Sequence, residues 1–463
     1  MTTHTTRITN KLGALALTAL VAVTAATATA RADNSDAILN ALVKKGILTQ
    51  QEASDLQTEV TKQDKATVAS NVLSSKNTTG ITFSGRLQVQ YVNVTTTDDN
   101  NTSGDTNING NYPYKNIGHA FLRRVYFGAK ATLGPNWSAN LNYDLADSSF
   151  DRATINWTGD ISAAPFSFDI GLRKVNFAYD EFTSSGNLKS IERSGATGYF
   201  VNDANANGTS LGAASYHIGI FADYNPNAFA GKTTGFFAGA AITNPERQSS
   251  GGKGGDVTFQ GKNGNLNKPA AWLNLGYTGK TDAATCILGA AAGYLPGMGG
   301  VRGSNQTGTA NQNILQGNLY ADITAGAFNI VAEYLVAKVD QGVSPASTGI
   351  ATTPVKDATV YGFWIQPSVK LGKQWELVAR YSYTNTDGRG ILLGDGIRSA
   401  SSAVKANALN EYYLGVNYYI IGNDLKLQLG YIGGQTSGAL PGSTLPLNKE
   451  TANGIRTQMQ VNF

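Results

Sequence analysis

From Gly80 to Phe463 the chain repeats one pattern: apolar and polar side chains alternate with a period of two, in short runs separated by turn residues. Ile81, Phe83, Leu87, Val89 and Tyr91 alternate with Thr82, Ser84, Arg86, Gln88 and Gln90. Near the other end Ile455, Met459, Val461 and Phe463 alternate with Arg456, Gln458, Gln460 and Asn462. Successive side chains of a strand point to opposite faces, so each run has one apolar and one watery face. Strands that cross a bilayer must close into a barrel, because every backbone group has to be bonded within the protein. The apolar row then faces lipid and the polar row faces the lumen. A soluble sandwich or a secreted adhesin also has alternating strands, with the apolar row turned to a core.

Composition narrows the choice. Only 15% of residues are charged, Gly (53) far outnumbers Pro (12), and mean hydropathy is close to zero. Beyond the N-terminus nothing approaches the ~18 consecutive apolar residues of a spanning helix, which argues against a helical membrane protein. Modest hydropathy is what a membrane barrel shows, since polar residues dilute its apolar ones.

The N-terminus indicates a secreted chain: Arg7 and Lys11 precede an apolar and small-residue run from Leu12 to Ala30. Ala28-Thr29-Ala30 and Ala30-Arg31-Ala32 are both possible cleavage sites, and the second defines a signal peptide of residues 1–32. Those residues hold three of the basic side chains and no acid, so the net charge of +4 falls to +1 on cleavage and basicity implies no anionic partner. Cys286 is the single cysteine and excludes an internal disulfide framework.

Residues 33–78 read as a periplasmic helical segment and linker. Asp36 can cap a short helix bearing Ile38, Leu39, Leu42 and Val43 that Gly46 ends, and Thr49 with Glu52 has capping-box spacing for a second. Residues 79–463 read as the barrel. Alternation and turn residues place strands near 80–94, 118–133, 137–147, 150–158, 165–175, 211–224, 234–243, 269–278, 285–295, 314–324, 327–338, 359–371, 374–383, 411–421, 425–432 and 455–463, sixteen in all. Gly134-Pro135, Ala325-Gly326, Gly372-Lys373 and Gly422-Asn423 form tight turns, while 95–117, 176–210, 244–268, 296–313, 339–358, 384–410 and 433–454 are long. Short and long connections alternate, except at 147–150, as the periplasmic turns and external loops of an outer-membrane barrel do. Tyr91, Trp137, Tyr277, Tyr334, Trp375, Tyr383 and Tyr431 end apolar rows, where interfacial girdles form. The sequence also ends on a strand residue, Phe463, a common ending for such barrels.

FLRRVYFGAKATL at 121–133, IGLRKVNFAYDEFTSSGNLKSIERS at 170–194, WELVARYSYT at 375–384 and LGVNYYI at 414–420 resemble, in order, segments of the phosphate-selective porin O and P family. GILTQQEA at 46–53 resembles the helical preface of many members. The resemblance implies a sixteen-stranded barrel, usually a homotrimer, whose third external loop folds inward as a constriction. Asn176 departs from the family, many members of which carry proline there, and the nearly balanced charge departs from its strongly basic pores.

An anion pore needs cations along a narrow, partly dehydrated passage. Strand parity sends Arg86, Arg124, Arg173, Arg380, Lys426 and Arg456 to the lumen, and Lys174, Lys189 and Arg193 fall on the presumed inward loop. Adjacent Arg123 and Arg124 cannot both obey parity, so one of them is expected at a rim, where its head can snorkel. The same cations could instead balance Asp144, Asp169, Asp322, Glu333 and Glu376, which share polar rows. Ser184, Ser185, Glu192 and Ser194 are the candidate anchors of the loop. No catalytic, metal, cofactor or nucleic-acid site is expected: His119 and His217 lie in no nucleophile motif, and GGKGG at 251–255 lacks the Lys-Ser/Thr ending of a phosphate loop. The expectation is therefore an all-β transmembrane barrel in the outer membrane of a diderm bacterium, contacting lipid and passing small hydrophilic solutes or anions, phosphate among them. The alternative is a structural or adhesive barrel whose pore is incidental.

Overall fold

The computed structural model describes residues 78–98, 115–202, 210–245, 268–300, 312–343, 355–400, 402, 404–442 and 449–463. The signal peptide, the helical segment expected at 33–78 but for Thr78, and much of the long connections lie outside the described residues. The chain divides after Ile81 into two compact units, and the second, Thr82–Phe463, carries nearly all that is described.

The described strands are β1 Thr78–Asp98, β2 Lys115–Leu133, β3 Trp137–Asp144, β4 Ser149–Ile161, β5 Ala164–Lys174, β6 Tyr216–Tyr224, β7 Gly235–Thr243 and β8 Ala270–Lys280. They continue with β9 Ala284–Leu295, β10 Ile314–Ala325, β11 Phe328–Val343, β12 Lys356–Leu371, β13 Trp375–Asn385, β14 Ala408–Ile421, β15 Leu425–Ser437 and β16 Glu450–Asn462. Each pairs with its neighbours in sequence, and β1 pairs antiparallel with β16 from Arg86↔Asn462 to Asp98↔Glu450, which closes the barrel. Closure leaves no edge strand to be satisfied by lipid. The expected turn glycines Gly134, Gly326, Gly372 and Gly422 all take positive φ. The outer face exposes a continuous apolar row, with Leu319, Leu414 and Phe328 among its most open side chains, and with Trp137, Tyr277, Trp375 and Tyr431 on it.

Inside, amides make a belt across four adjacent strands. Gln88 donates to Gln460 (2.6 Å), Gln90 to Gln458 (2.8 Å), Gln458 to Gln428 (2.8 Å) and Gln428 to Asn417 (3.0 Å). Such neutral donors and acceptors can satisfy one another while leaving spare valences for whatever lies against them.

Alternation breaks on one side of the barrel, and each break turns two consecutive polar side chains inward. In β2, Leu122 (58% exposed) and Phe127 (46%) both face out although five residues apart. Both arginines between them reach inward, Arg123 to Glu192 and Arg124 to Gln88, so the rim position expected for one of them is corrected. In β4, Asn142 pairs with Arg152 and Tyr143 with Phe150, leaving Asp151 as the extra residue of a bulge. Phe150 (38%) and Ile155 (56%) accordingly both face out. In β5, Gly171 takes φ +127°, and Leu172, expected on the lipid row, is only 5% exposed. Arg173 and Lys174 after it both bond inside the barrel. A lipid-facing charge near the bilayer middle costs about 2–4 kcal/mol, so a local irregularity is the cheaper way to place a charged doublet.

The strand expected from residue 211 begins at Tyr216. Leu211 and Ala213 instead donate their N–H groups to the Tyr199 and Phe200 carbonyls, 2.8 and 3.0 Å, and pack with the preceding loop. Gly171 cannot accept a side chain without strain: an added Cβ would lie 2.2 Å from the Ala153 carbonyl oxygen at a φ that L-residues rarely adopt. Gly171→Ala should destabilise the barrel by roughly 1–3 kcal/mol, read as a lower unfolding temperature in detergent. An unchanged temperature would refute the requirement for glycine.

Candidate functional site

The described parts of the β5–β6 connection, residues 175–202 and 210–215, run into the barrel instead of over it. Phe177, Ile191, Tyr199, Phe200 and Leu211 along it are fully buried. Four short helices occur among the described residues: α1 Tyr179–Phe182 and α2 Gly195–Val201 in this loop, α3 Pro226–Phe229 in the β6–β7 connection and α4 Leu393–Gly396 in the β13–β14 connection. A buried loop must find partners for its backbone, since water cannot supply them.

The wall supplies them one by one. The Ser185 carbonyl accepts from Gln88 of β1 (3.2 Å) and that of Gly186 from Gln460 of β16 (3.0 Å). Leu188 accepts from Lys426 of β15 (2.8 Å), and Lys189 from Gln428 (3.0 Å) and from Asn417 of β14 (2.9 Å). Glu192 and Arg193 accept from Arg380 of β13 (2.7 and 3.1 Å). Residues 185–193 thus cross five adjacent strands. Loop N–H groups meet acceptors instead: Tyr179 N donates to Glu333 (2.6 Å), Gly195 N to Glu411, and Ala196 N to Ser382 (3.0 Å). Ser194 caps α2 by accepting from Thr197 N.

This arrangement sorts the candidate residues. Arg380, Lys426 and Arg456 point inward as parity implied but are buried under the loop. Arg380 also pairs with Glu411 (2.6 Å), and Arg456 bonds Gln90 (3.1 Å) and the Arg398 carbonyl (2.5 Å). Arg193 is turned back on its own loop, donating to the Asp180, Glu181 and Thr183 carbonyls at 2.8–3.0 Å. Lys189 pairs with Glu376 (2.9 Å) on the β12–β13 side. Ser184 and Ser185 both accept from Arg86 (3.2 and 2.7 Å), and Glu192 takes a two-pronged bond from Arg123 (2.7 and 3.1 Å). Of the acids on polar rows, Asp169 holds Arg152 and Arg173, Glu376 holds Lys189, and Glu333 holds loop backbone.

Open space remains along β2–β5. A chamber of about 830 Å³ at the short-turn end is bounded by Arg86, Lys130, Arg152, Arg173, Asp424 and Asn462. A smaller space of about 130 Å³ at the long-loop end is bounded by Arg123, Arg124, Asp147, Arg193 and Arg398. The two share Tyr126, Asp151, Lys174 and Tyr216, which mark the narrow level between them. Lys174 Nζ pairs with Glu181 (2.9 Å) and lies 5.0 Å from the centre of the Tyr216 ring. Arg173 is neutralised by Asp169 and Asp223 (2.6 and 2.8 Å). Arg86, Arg124 and Lys130 have no ion pair among the described residues. Arg123, Lys130, Asp151, Arg152 and Tyr126 were not among the candidates; the charged doublets Arg123-Arg124 and Asp151-Arg152 were the signal for most of them.

Within the loop, burial would raise the Glu181 carboxyl, but Arg193, Lys174 and a bond from Ser215 outweigh it and bring its pKa down to about 2. Burial acts likewise on Glu192, and Arg123 with Arg398 drives it well below the usual carboxylate range. A depressed folded pKa stabilises the seated loop above the unfolded value and is lost as pH falls through the folded one. The loop should therefore keep its place from neutral pH to about pH 4, well above that point. Glu181→Gln, which leaves Lys174 and Arg193 without their counter-charge, should unseat it at neutral pH at a cost of about 3–5 kcal/mol. Tryptic cleavage after Arg193 in the folded barrel reads the difference; equal resistance of both proteins would refute the role given to Glu181.

His217 is buried against Trp272 with Nδ1 3.0 Å from the Asn244 carbonyl, and His119 lies against Phe121. No curated protein sequence matches the chain. Solved structures with a similar course include the outer membrane channel DcaP of Acinetobacter baumannii, 9% identical over 83% of this chain and 97% of that one, with a TM-score of 0.49. OprB of Pseudomonas putida is 11% identical over 82% and 94%, TM-score 0.46, and OmpT of Vibrio cholerae, an outer membrane protein, is 13% identical over 84% and 100%, TM-score 0.45. The family described as phosphate-selective porin O and P matches residues 94–463, from the end of β1 through β16 with the inward loop between, and the chain belongs to that family.

Proposed function

We propose that this outer-membrane porin passes small hydrophilic solutes and ions through the β2–β5 side of its lumen and favours anions, inorganic phosphate among them. Porin function and an outer-membrane location follow from the family. The preference for anions rests on one observation: three of the cations that border open space, Arg86, Arg124 and Lys130, have no ion pair among the described residues, whereas Arg380 and Lys189 away from the passage are paired with carboxylates. Arg86 and Arg124 offer planar forks suited to two oxygens of a phosphate, and Lys130 offers a mobile charge. Asp151 at the narrow level opposes them and limits the preference.

The short-turn end is assigned to the periplasm together with the N-terminal segment, and the long loops to the exterior. A homotrimer is proposed on the family resemblance; light scattering in detergent that returns a single chain per particle would overturn it.

Purified protein in planar bilayers tests the channel itself: defined conductance steps are expected, and their absence would sink the proposal. In a salt gradient Lys130→Glu should move the reversal potential toward cations and Asp151→Asn should move it toward anions. A unit charge at ~4 Å in water is worth about 1 kcal/mol, so each change should alter the permeability ratio severalfold. Both shifts should shrink in concentrated salt. Lys189→Gln should leave the ratio unchanged, because that charge is paired away from the passage. Shifts absent in both passage variants would remove the β2–β5 side from the account.

A further inference from the structure

Across the loop from the passage, a second cavity of about 380 Å³ lies between loop residues 179–189 and strands β9–β12. Its volume is within the range of small-molecule sites. Phe182 of α1 and Phe229 of α3 divide it from the larger chamber: their ring centres are 4.7 Å apart, and both residues border both spaces. Tyr179 closes on Phe182 edge to face at 5.1 Å. On the wall, Trp364 donates its indole N–H to Glu333 (2.9 Å), which fixes the ring at the cavity edge.

The charge here is opposite to that of the passage. Asp180 and Asp322 border the cavity, and neither has an ion pair among the described residues. Asp322 accepts one bond on each oxygen, from the Tyr179 hydroxyl (2.7 Å) and from Asn329 Nδ2 (2.6 Å). A carboxylate has about four acceptor sites, so two remain. Asp180 accepts from Ser194 N (2.8 Å). The bordering cation, Lys189, is occupied by Glu376 (2.9 Å), Ser368 (2.8 Å) and Asn329 (2.9 Å).

We propose that this cavity binds a small organic cation of the aryl-alkyl ammonium class, its ammonium on Asp322 and its ring among Phe182, Phe229 and Trp364. Aromatic faces and a carboxylate both favour an ammonium, and the apolar part of such a ligand removes ring surface from water. An inorganic cation would gain nothing from the three rings as an apolar wall, and an anion would meet two carboxylates. The site does not depend on the ion preference of the passage, because its readout is binding and not current.

Titration calorimetry on the full chain in detergent, with phenethylammonium as probe, tests it. Saturable binding is expected, with the neutral analogue 2-phenylethanol at least about tenfold weaker, since it loses the charge-assisted bond. Asp322→Asn should weaken phenethylammonium by a similar factor. Equal binding of the alcohol and the ammonium, full affinity in the Asp322 variant, or no saturable binding to the parent protein would each overturn the proposal. The two-ligand comparison on the parent protein decides the matter even if the variant fails to fold.

Discussion

The architecture depends on how a loop buried inside the barrel is kept in hydrogen bonds. Where the loop lies against the wall, each buried carbonyl needs a protein donor or costs roughly 1–3 kcal/mol. The barrel meets that demand with long donors on consecutive strands, from Gln88 of β1 through Gln460, Lys426 and Gln428 to Arg380 of β13. Their spacing follows the strand separation, so the loop lies across the strands in a defined register. Acceptors take the complementary places, with Glu333 and Glu411 under the N–H groups that open α1 and α2.

This demand determines which lumenal cations are free. Arg380, Lys426 and Arg456 obey strand parity, yet all three are buried, Arg380 and Lys426 on loop carbonyls and Arg456 within 3.5 Å of Glu192. The wall that faces the passage holds the loop through side chains, Arg86 on Ser184 and Ser185, Arg123 on Glu192 and Lys174 on Glu181, and there the charges come in doublets: Arg123-Arg124, Asp151-Arg152 and Arg173-Lys174. A regular strand would send one member of each to lipid. The irregularities in β2, β4 and β5 bring both inside, at the expense of ladder regularity. Gly171 is needed for this reason and not for a turn.

The sixteen strands could be read from the sequence because lipid imposes a strict rule on one face of each, and a rule of period two survives in every run. The inward loop could be read only through the family-like residues around Ser184-Ser185 and Glu192 to Ser194. Which cations lie beneath it could not be read, because that depends on contacts between residues as distant as Leu188 and Lys426. The start of β6 was misplaced for a related reason. Leu211 to Ala214 have strand-like neighbours, yet their backbone is claimed by α2. Parity also failed at the charged doublets, where the cost of exposing a charge to lipid outweighed regular pairing. That cost is visible in the sequence once two charged residues stand side by side in a spanning strand.

The loop also divides the lumen into spaces of opposite character. On the β2–β5 side lie unpaired Arg86, Arg124 and Lys130; on the β9–β12 side lie unpaired Asp180 and Asp322 among aromatic rings. The separation is physical as well as electrostatic, since Phe182 and Phe229 meet between the two chambers. If the loop were a plain constriction, its far face would need only to be satisfied, and neutral amides like those of the Gln88 to Asn417 belt would suffice. Two carboxylates with spare acceptor sites exceed that requirement. Asp322 holds the Tyr179 hydroxyl and Asp180 the Ser194 N–H, and the acceptor sites Asp322 leaves toward the cavity suit a cation.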